Sequence, residues 1–262
     1  MRGLDPRNSR GAEMDCAAHA RDYATGMDTL FDLTGKTALV TGASGLLGAH
    51  FAAVLAGAGA RVLLAARRLD AMPPGALHLD VTDEASIAAC LDAAGPLDIL
   101  VNNAGLAVTR PLLEHTAADW DQVMDVNLRG AFLMATAAAR RMPRGGSIIN
   151  IASVLGERII PGVAGYTAAK AGLLHLTRQM AVELARLGIR VNAIAPGYIA
   201  SDINAEFFAS APGQAMVKRI PQRRLGRPED LTGALLLLAS DAGAHMTGST
   251  ITIDGGHSIG SL

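Results

Sequence analysis

From about Gly35 onward, apolar residues fall into short runs broken by polar or glycine-containing turns. The stretches Lys36–Val40, Arg61–Ala66, Ala76–Leu79, Asp98–Val101, Ser147–Ala152, Arg190–Ala195 and Thr250–Ile253 are mostly apolar and of single-strand length. Between them the spacing predicts helices. An Ala-rich one ends at Gly57, and a second opens with Thr82 or Asp83 as its cap. A long one runs from about Ala117, with Trp120, Val123, Met124, Asn127, Leu133 and Met134 on a 3.6-residue period. Two more cover Tyr166–Leu187 and open at Pro228-Glu-Asp-Leu. After Arg68, Pro73-Pro74-Gly75 leaves room for no more than a stunted crossover helix. Apolar strands alternating with helices predict an α/β fold, a doubly wound parallel sheet of Rossmann type.

Residues 1–28 break the pattern. They are polar, rich in Arg, Asp and Gly, and without a sustained period, which predicts a disordered N-terminal extension. The stretch lacks the apolar core of a secretory signal, and Met27 stands as an alternative start. No compositional break follows residue 35, so residues 29–262 are expected to form one Rossmann-type domain.

Composition narrows the class. Half of the 262 residues are hydrophobic, and 24 acidic residues nearly cancel 23 basic ones, so no global field argues for nucleic acid. The longest uninterrupted apolar run, Ala234–Ala239, is far too short to span a bilayer. Cys16 and Cys90 have neither metal nor disulfide spacing, which fits a cytoplasmic protein, and the seven histidines show no ligand spacing, so no metal is expected.

Candidate chemistry sits at two places. Thr41-Gly-Ala-Ser-Gly-Leu-Leu-Gly48 joins the first strand to the first helix, where glycines let the backbone turn tightly and meet a pyrophosphate at the helix N-terminus. No Gly-Lys-Ser/Thr follows, which argues against P-loop phosphoryl transfer. Sites that choose NAD place Asp or Glu at the end of the second strand; here Ala66, Arg67 and Arg68 stand there, so a 2′-phosphate and NADP(H) are favoured, with NAD(H) as the alternative. The second place is Ser153–Lys170. Tyr166 and Lys170, four apart, share a helical face, and Ser153 ends the strand before them. A phenol, a cation and a hydroxyl are the parts needed to move a proton on or off an alcohol oxygen. A free tyrosine titrates near 10, so work near neutrality requires roughly 4 kcal/mol of preferential phenolate stabilisation. A partly desolvated Lys170 together with a cationic nicotinamide ring is a source of that size.

Taken together, Thr41-Gly42…Gly48, Asp80, Asn102-Asn-Ala-Gly105, Asn127, Ser153, Tyr166-x-x-x-Lys170 and Pro196-Gly197 resemble the short-chain dehydrogenase/reductase family from about Phe31 to the C-terminus. The resemblance implies interconversion of a secondary alcohol and a ketone with NAD(P)(H), in a homotetramer, with a homodimer as the alternative. It implies catalytic roles for Asn127, Ser153, Tyr166 and Lys170: Tyr166 as acid/base, Ser153 polarising the substrate oxygen, Lys170 lowering the phenol pKa, and Asn127 linking Lys170 to a relay water. The cofactor set it implies is Gly42, Ser44, Gly45, Leu47, Gly48, Arg67, Arg68, Asp80, Val81, Asn102, Ala104, Gly105, Tyr166, Lys170, Pro196, Gly197, Ile199 and Ser201.

Two departures matter. The single-domain branch carries its middle glycine at the sixth place of the turn, where this chain has Leu46 and moves the glycine to Gly45; and Ser201 stands where threonine is common. Arg224 to Asp230, Arg-Leu-Gly-Arg-Pro-Glu-Asp, resembles the 3-oxoacyl-carrier-protein reductase and gluconate 5-dehydrogenase groups. The small-molecule substrate classes are therefore 3-oxoacyl thioesters, sugar-derived ketones and other small ketones. Tyr198–Arg219, with Phe207, Phe208 and Met216, is the expected lid, and Ile159, Ile160 and Val163 the expected apolar walls, beside Glu157 and Arg158. A cofactor-sensing binding protein without chemistry is the competing class; intact Ser153, Tyr166 and Lys170 argue against it.

Overall fold

The computed structural model describes residues 29–260 other than 71 and 144, so the expectation for residues 1–28 lies outside the described residues. Seven parallel strands form one sheet: β1 (Thr37–Thr41), β2 (Arg61–Ala66), β3 (Leu77–His78), β4 (Ile99–Asn102), β5 (Gly146–Ile151), β6 (Ile189–Pro196) and β7 (Thr250–Ile253). Their order is β3-β2-β1-β4-β5-β6-β7. The main helices are α1 (Leu46–Gly57), α2 (Glu84–Ala94), α3 (Ala117–Met124), α4 (Gly130–Ala139), α5 (Ala164–Leu184), α6 (Asp202–Ala209), α7 (Ala211–Val217) and α8 (Thr232–Ala239).

Strand alternation divides the core in two. Leu39, Leu100, Ile148 and Val191 face one side and pack with Leu91 of α2, Met134 of α4 and Met180 of α5. Their chain neighbours Val40, Val101 and Ile149 face the other side and pack with Phe51 and Leu55 of α1 and Leu235 and Leu238 of α8. Each such fully buried Leu, Ile or Phe contributes about 1.5–3 kcal/mol, which is why these strands carry no polar face. Side chains cap the starts of α2 and α3: Asp83 accepts from the N–H groups of Ala85 and Ser86, and Thr116 and Asp119 form a reciprocal capping box.

Three elements differ from their sequence reading. β3 is only two residues long, because the turn at Pro73-Pro74-Gly75 delivers the chain late to the sheet edge. α5 starts at Ala164, ahead of Tyr166, and ends in a 3-10 turn over Ala185–Leu187. The helix from Ala117 is not uniform: α3 and α4 are joined by a π turn over Asp125–Arg129, which widens the ladder by one residue. Asn127 lies inside it.

The order places the reversal of strand sequence between β1 and β4. A crevice at the carboxyl ends of parallel strands, at that reversal, is where such sheets bind ligands. Thr41, Asn102, Ile151 and Pro196 close β1, β4, β5 and β6 at that edge.

Candidate active site

The first half of the crevice is built by the turn after β1. Gly45 caps α1 without a side chain and the first turn of α1 carries no acidic residue, so the positive end of this helix dipole has no protein counter-charge of its own. Gly48 lies close under the turn: a Cβ there would be 2.3 Å from the Gly42 carbonyl oxygen. Thr41 Oγ1 accepts from the N–H groups of Asn103 and Ala104, both at 3.0 Å, and Asn103 Nδ2 donates to the carbonyls of Thr41 at 3.0 Å and Gly42 at 3.2 Å. The cavity in front is lined by Gly42, Ser44, Arg67, Arg68, Asp80, Val81, Ala104 and Gly105. Asp80 accepts from Thr82 N at 2.9 Å and Thr82 Oγ1 at 2.7 Å, and these bonds, with help from Arg67, hold its carboxyl below the usual range. Bare helix N–H groups and two guanidinium groups are the donor set that a phosphorylated dinucleotide needs.

The second half, a cavity of about 360 Å³, is lined by Leu47, Asn127, Ser153, Tyr166, Lys170, Pro196, Gly197 and Ile199. Gly105 and Leu106 line both halves, which makes them one groove. Lys170 is buried on α5; its Nζ donates to the carbonyl of Ile151 at 2.7 Å and lies 5.6 Å from the centroid of the Tyr166 ring. Burial pushes the Lys170 ammonium down to about 8. Burial pushes the Tyr166 phenol up, and a hydrogen bond with the Ser153 hydroxyl offsets part of that rise. Among the protein's own groups, burial is the largest influence on the phenol and acts upward. Ser153 follows β5 by two residues, caps the 3-10 turn over Val154–Gly156 and accepts from Leu155 N–H at 3.1 Å.

Asn127 is held at both ends. Its Nδ2 donates to the carbonyls of Leu106 at 2.7 Å and Val123 at 2.9 Å, and its Oδ1 accepts from Leu106 N–H at 3.3 Å. The bond to Val123, one turn back, substitutes side-chain for main-chain donation where the π turn has shifted the ladder.

Most of the anticipated residues share this groove, but not all. Asn102 lies outside both cavities: its Nδ2 donates to Asn150 Oδ1 and the Ala131 carbonyl in the core. Its neighbour Asn103, absent from the anticipated set, is the one that braces the glycine turn. Gly45 and Gly48 shape the turn without lining a cavity, and Ser201 sits beyond the groove at the N-cap of α6, its N–H bonded to Asn204 Oδ1 at 3.0 Å. The anticipated lid is the α6–α7 pair, with Phe208 buried and Phe207 half exposed against it. Val163 packs behind the groove with Val154 and Leu155 rather than walling it. Among the described residues, no three His, Cys, Asp or Glu side chains are grouped to hold a metal, and no helix is long and apolar enough to cross a membrane.

Residues 42–258 match the family model described as enoyl-(acyl carrier protein) reductase. The gluconate 5-dehydrogenase of Gluconobacter oxydans is 39% identical over 249 residues, covering 88% of this chain and 97% of that protein. A 3-oxoacyl-[acyl-carrier-protein] reductase of Rickettsia conorii is 37% identical over 240 residues, 87% of this chain and 98% of that one. The crystal structure of a gluconate 5-dehydrogenase from Burkholderia cenocepacia, in complex with NADP and tartrate, superposes with a TM-score of 0.85 at 35% identity, covering 90% of this chain and all of that one. With its Rossmann sheet and its Ser153, Tyr166 and Lys170 in one groove, the chain belongs to the short-chain dehydrogenase/reductase family of oxidoreductases.

Proposed function

We propose that the protein is an NADP(H)-dependent oxidoreductase that interconverts a secondary alcohol and a ketone, with Tyr166 as its acid/base. One observation carries the reading: a single groove runs from Arg67 and Arg68 to Ser153, Tyr166 and Lys170. It has a phosphate-binding end and a proton-transfer end. Gluconate 5-dehydrogenase and 3-oxoacyl reductase relatives support sugar-derived ketones and 3-oxoacyl thioesters as the substrate classes, and the NADP-bound relative supports the cofactor.

The bare N-terminus of α1 would take the pyrophosphate, and Arg67, with Arg68, the 2′-phosphate. When bound, the dinucleotide supplies a hydride acceptor or donor and, when oxidised, a positive ring. In alcohol oxidation Tyr166 phenolate accepts the hydroxyl proton as the carbon loses its hydride, and in ketone reduction the phenol returns it. Ser153 donates to the same oxygen, on which negative charge develops. Lys170 keeps a positive charge near the phenol, held in place by the bond from its ammonium to the Ile151 carbonyl. Asn127 holds the Leu106 backbone against the groove wall. Trp120, Phe132 and Val182 expose apolar surface on α3, α4 and α5, which supports a homotetramer, and the buried Cys90, its thiol pushed up to about 11, fits a reducing cytoplasm.

The test is turnover of NADPH and NADH against a panel of ketones and 3-oxoacyl thioesters. Tyr166→Phe should lower NADPH oxidation by about 10²–10⁴-fold. Turnover that survives this change, or a strong NADH preference, overturns the reading.

A further inference from the structure

Beside the groove lies another cavity, also of about 360 Å³, whose wall includes Arg158, Arg219, Tyr198, His257, Ile160 and Met216. Two short segments join it to the catalytic groups. Leu155 belongs to its wall, and the Leu155 N–H bonds Ser153 Oγ. Tyr198 stands between Gly197 and Ile199, which line the groove itself. Leu155 and Ile160 also pack in one cluster with Tyr166. A molecule whose reacting oxygen sits at Ser153 and Tyr166 therefore has its far end directed here.

Among the described residues, the wall carries no acidic side chain. Among the described residues, neither Arg158 nor Arg219 has a carboxylate within 4.0 Å. Two polar atoms of the same wall, Tyr198 Oη and His257 Nδ1, are buried and have no partner among the described residues, with their rings 5.4 Å apart. Buried polar groups are ordinarily bonded, so a pair left open beside a cavity points to a ligand that supplies the bonds. The Tyr198 ring is fixed from the other side by Phe208 of the lid, at 5.7 Å. At about 360 Å³ the cavity has room for a compact acid.

We propose that the substrate carries a carboxylate, held in this cavity by Arg158 and Arg219, with Tyr198 and His257 bonding oxygens between it and the reacting carbon. The proposal rests on the dehydrogenase reading above and narrows its substrate to hydroxy and keto acids. A guanidinium matches a planar carboxylate with paired, charge-assisted bonds.

The test uses the full chain with saturating NADP⁺. Calorimetry measures binding of D-gluconate against D-gluconamide and of 3-hydroxybutanoate against 3-hydroxybutanamide, and NADP⁺ reduction is followed with the same compounds. At least one acid should bind about 10–100-fold more tightly than its amide. The double variant R158Q/R219Q should bring that ratio within about threefold of unity, and R158K/R219K should restore part of it. Acids and amides that bind alike, or a ratio unchanged in R158Q/R219Q, overturn the proposal. So does a double variant that loses turnover of acetoacetyl-coenzyme A while the acid-to-amide ratio stays put, because the arginines would then serve a phosphate-bearing thioester. Preferential binding of an acid without NADP⁺ reduction supports the carboxylate site and counts against the redox reading; equal oxidation of acid and amide does the reverse.

Discussion

Lys170 Nζ donates to the carbonyl of Ile151 at 2.7 Å, so the last residue of β5 anchors the ammonium carried by α5. Burial lowers that ammonium from 10.5 to about 8. Because the folded-state pKa lies below the unfolded one, the unfolded chain binds more protons between about pH 8 and 10.5, and this group's contribution to stability rises with pH across that window. Below it, the buried charge costs on the order of 3 kcal/mol. Lys170→Met removes the titration. Denaturant unfolding of both proteins from pH 7.5 to 10 should show the variant's relative advantage shrinking by about 2–3 kcal/mol as pH rises, while its turnover falls at least about 10²-fold. A stability difference that does not move with pH would mean that Lys170 titrates at its ordinary value.

Gly105 and Asn127 are in comparably close relation. A Cβ on Gly105 would lie 2.7 Å from Asn127 Oδ1 and 3.7 Å from Lys170 Nζ. Asn127 cannot swing aside without breaking its bonds to Leu106 and Val123. Gly105→Ala should therefore cost about 1–3 kcal/mol in overpacking and, through displaced catalytic groups, about 10²-fold in kcat. Unfolding by urea and steady-state kinetics on one preparation separate the two effects. An unchanged kcat would show that the Asn127 position does not matter to turnover.

The fold was legible because period and length agreed along most of the chain. Each interior strand reads as a run too apolar to have a wet face, and the glycine turn marks where β1 hands over to α1. What escaped was local. The period over Ala117–Ala139 looks continuous, because a π turn adds one residue to the ladder while the chain stays helical through Gly130, which closes it. The adjacent asparagines 102 and 103 are chemically identical in sequence, yet successive side chains at a strand end point to opposite sides. Asn102 goes to the core and Asn103 to the turn. The burial of Tyr166 was hidden for another reason: spacing gives the nearness of Lys170 but not the depth at which the ring sits.

On the proposed reading, Arg67 is the residue that separates the two cofactors. It lines the groove beside Asp80, close enough to help depress that carboxyl, and it is solvent-exposed. Arg67→Gln should lower kcat/KM for NADPH by about 10–100-fold, the scale of a lost charge-assisted phosphate contact. The value for NADH should change by less than about threefold, since no 2′-phosphate is present to miss the guanidinium. Parallel assays of Arg68→Gln assign the contact between the two. If neither variant discriminates, the phosphate reading of this strand end fails.

Thr41 holds the turn through its oxygen rather than its size. Oγ1 accepts from two N–H groups, Asn103 and Ala104, and the residue is 1% exposed, so water cannot take over. Thr41→Val keeps the shape and removes the acceptor. Each orphaned N–H costs about 1–3 kcal/mol, so the variant should lose about 2–4 kcal/mol of unfolding free energy after partial relaxation. The loss should be accompanied by weaker NADPH binding, because Asn103 carries the bonds that fix Thr41 and Gly42. Thr41→Ser restores the oxygen and should recover most of both. A Val variant as stable as the parent, with unaltered NADPH affinity by fluorescence titration, would mean that Asn103 alone suffices to hold the turn.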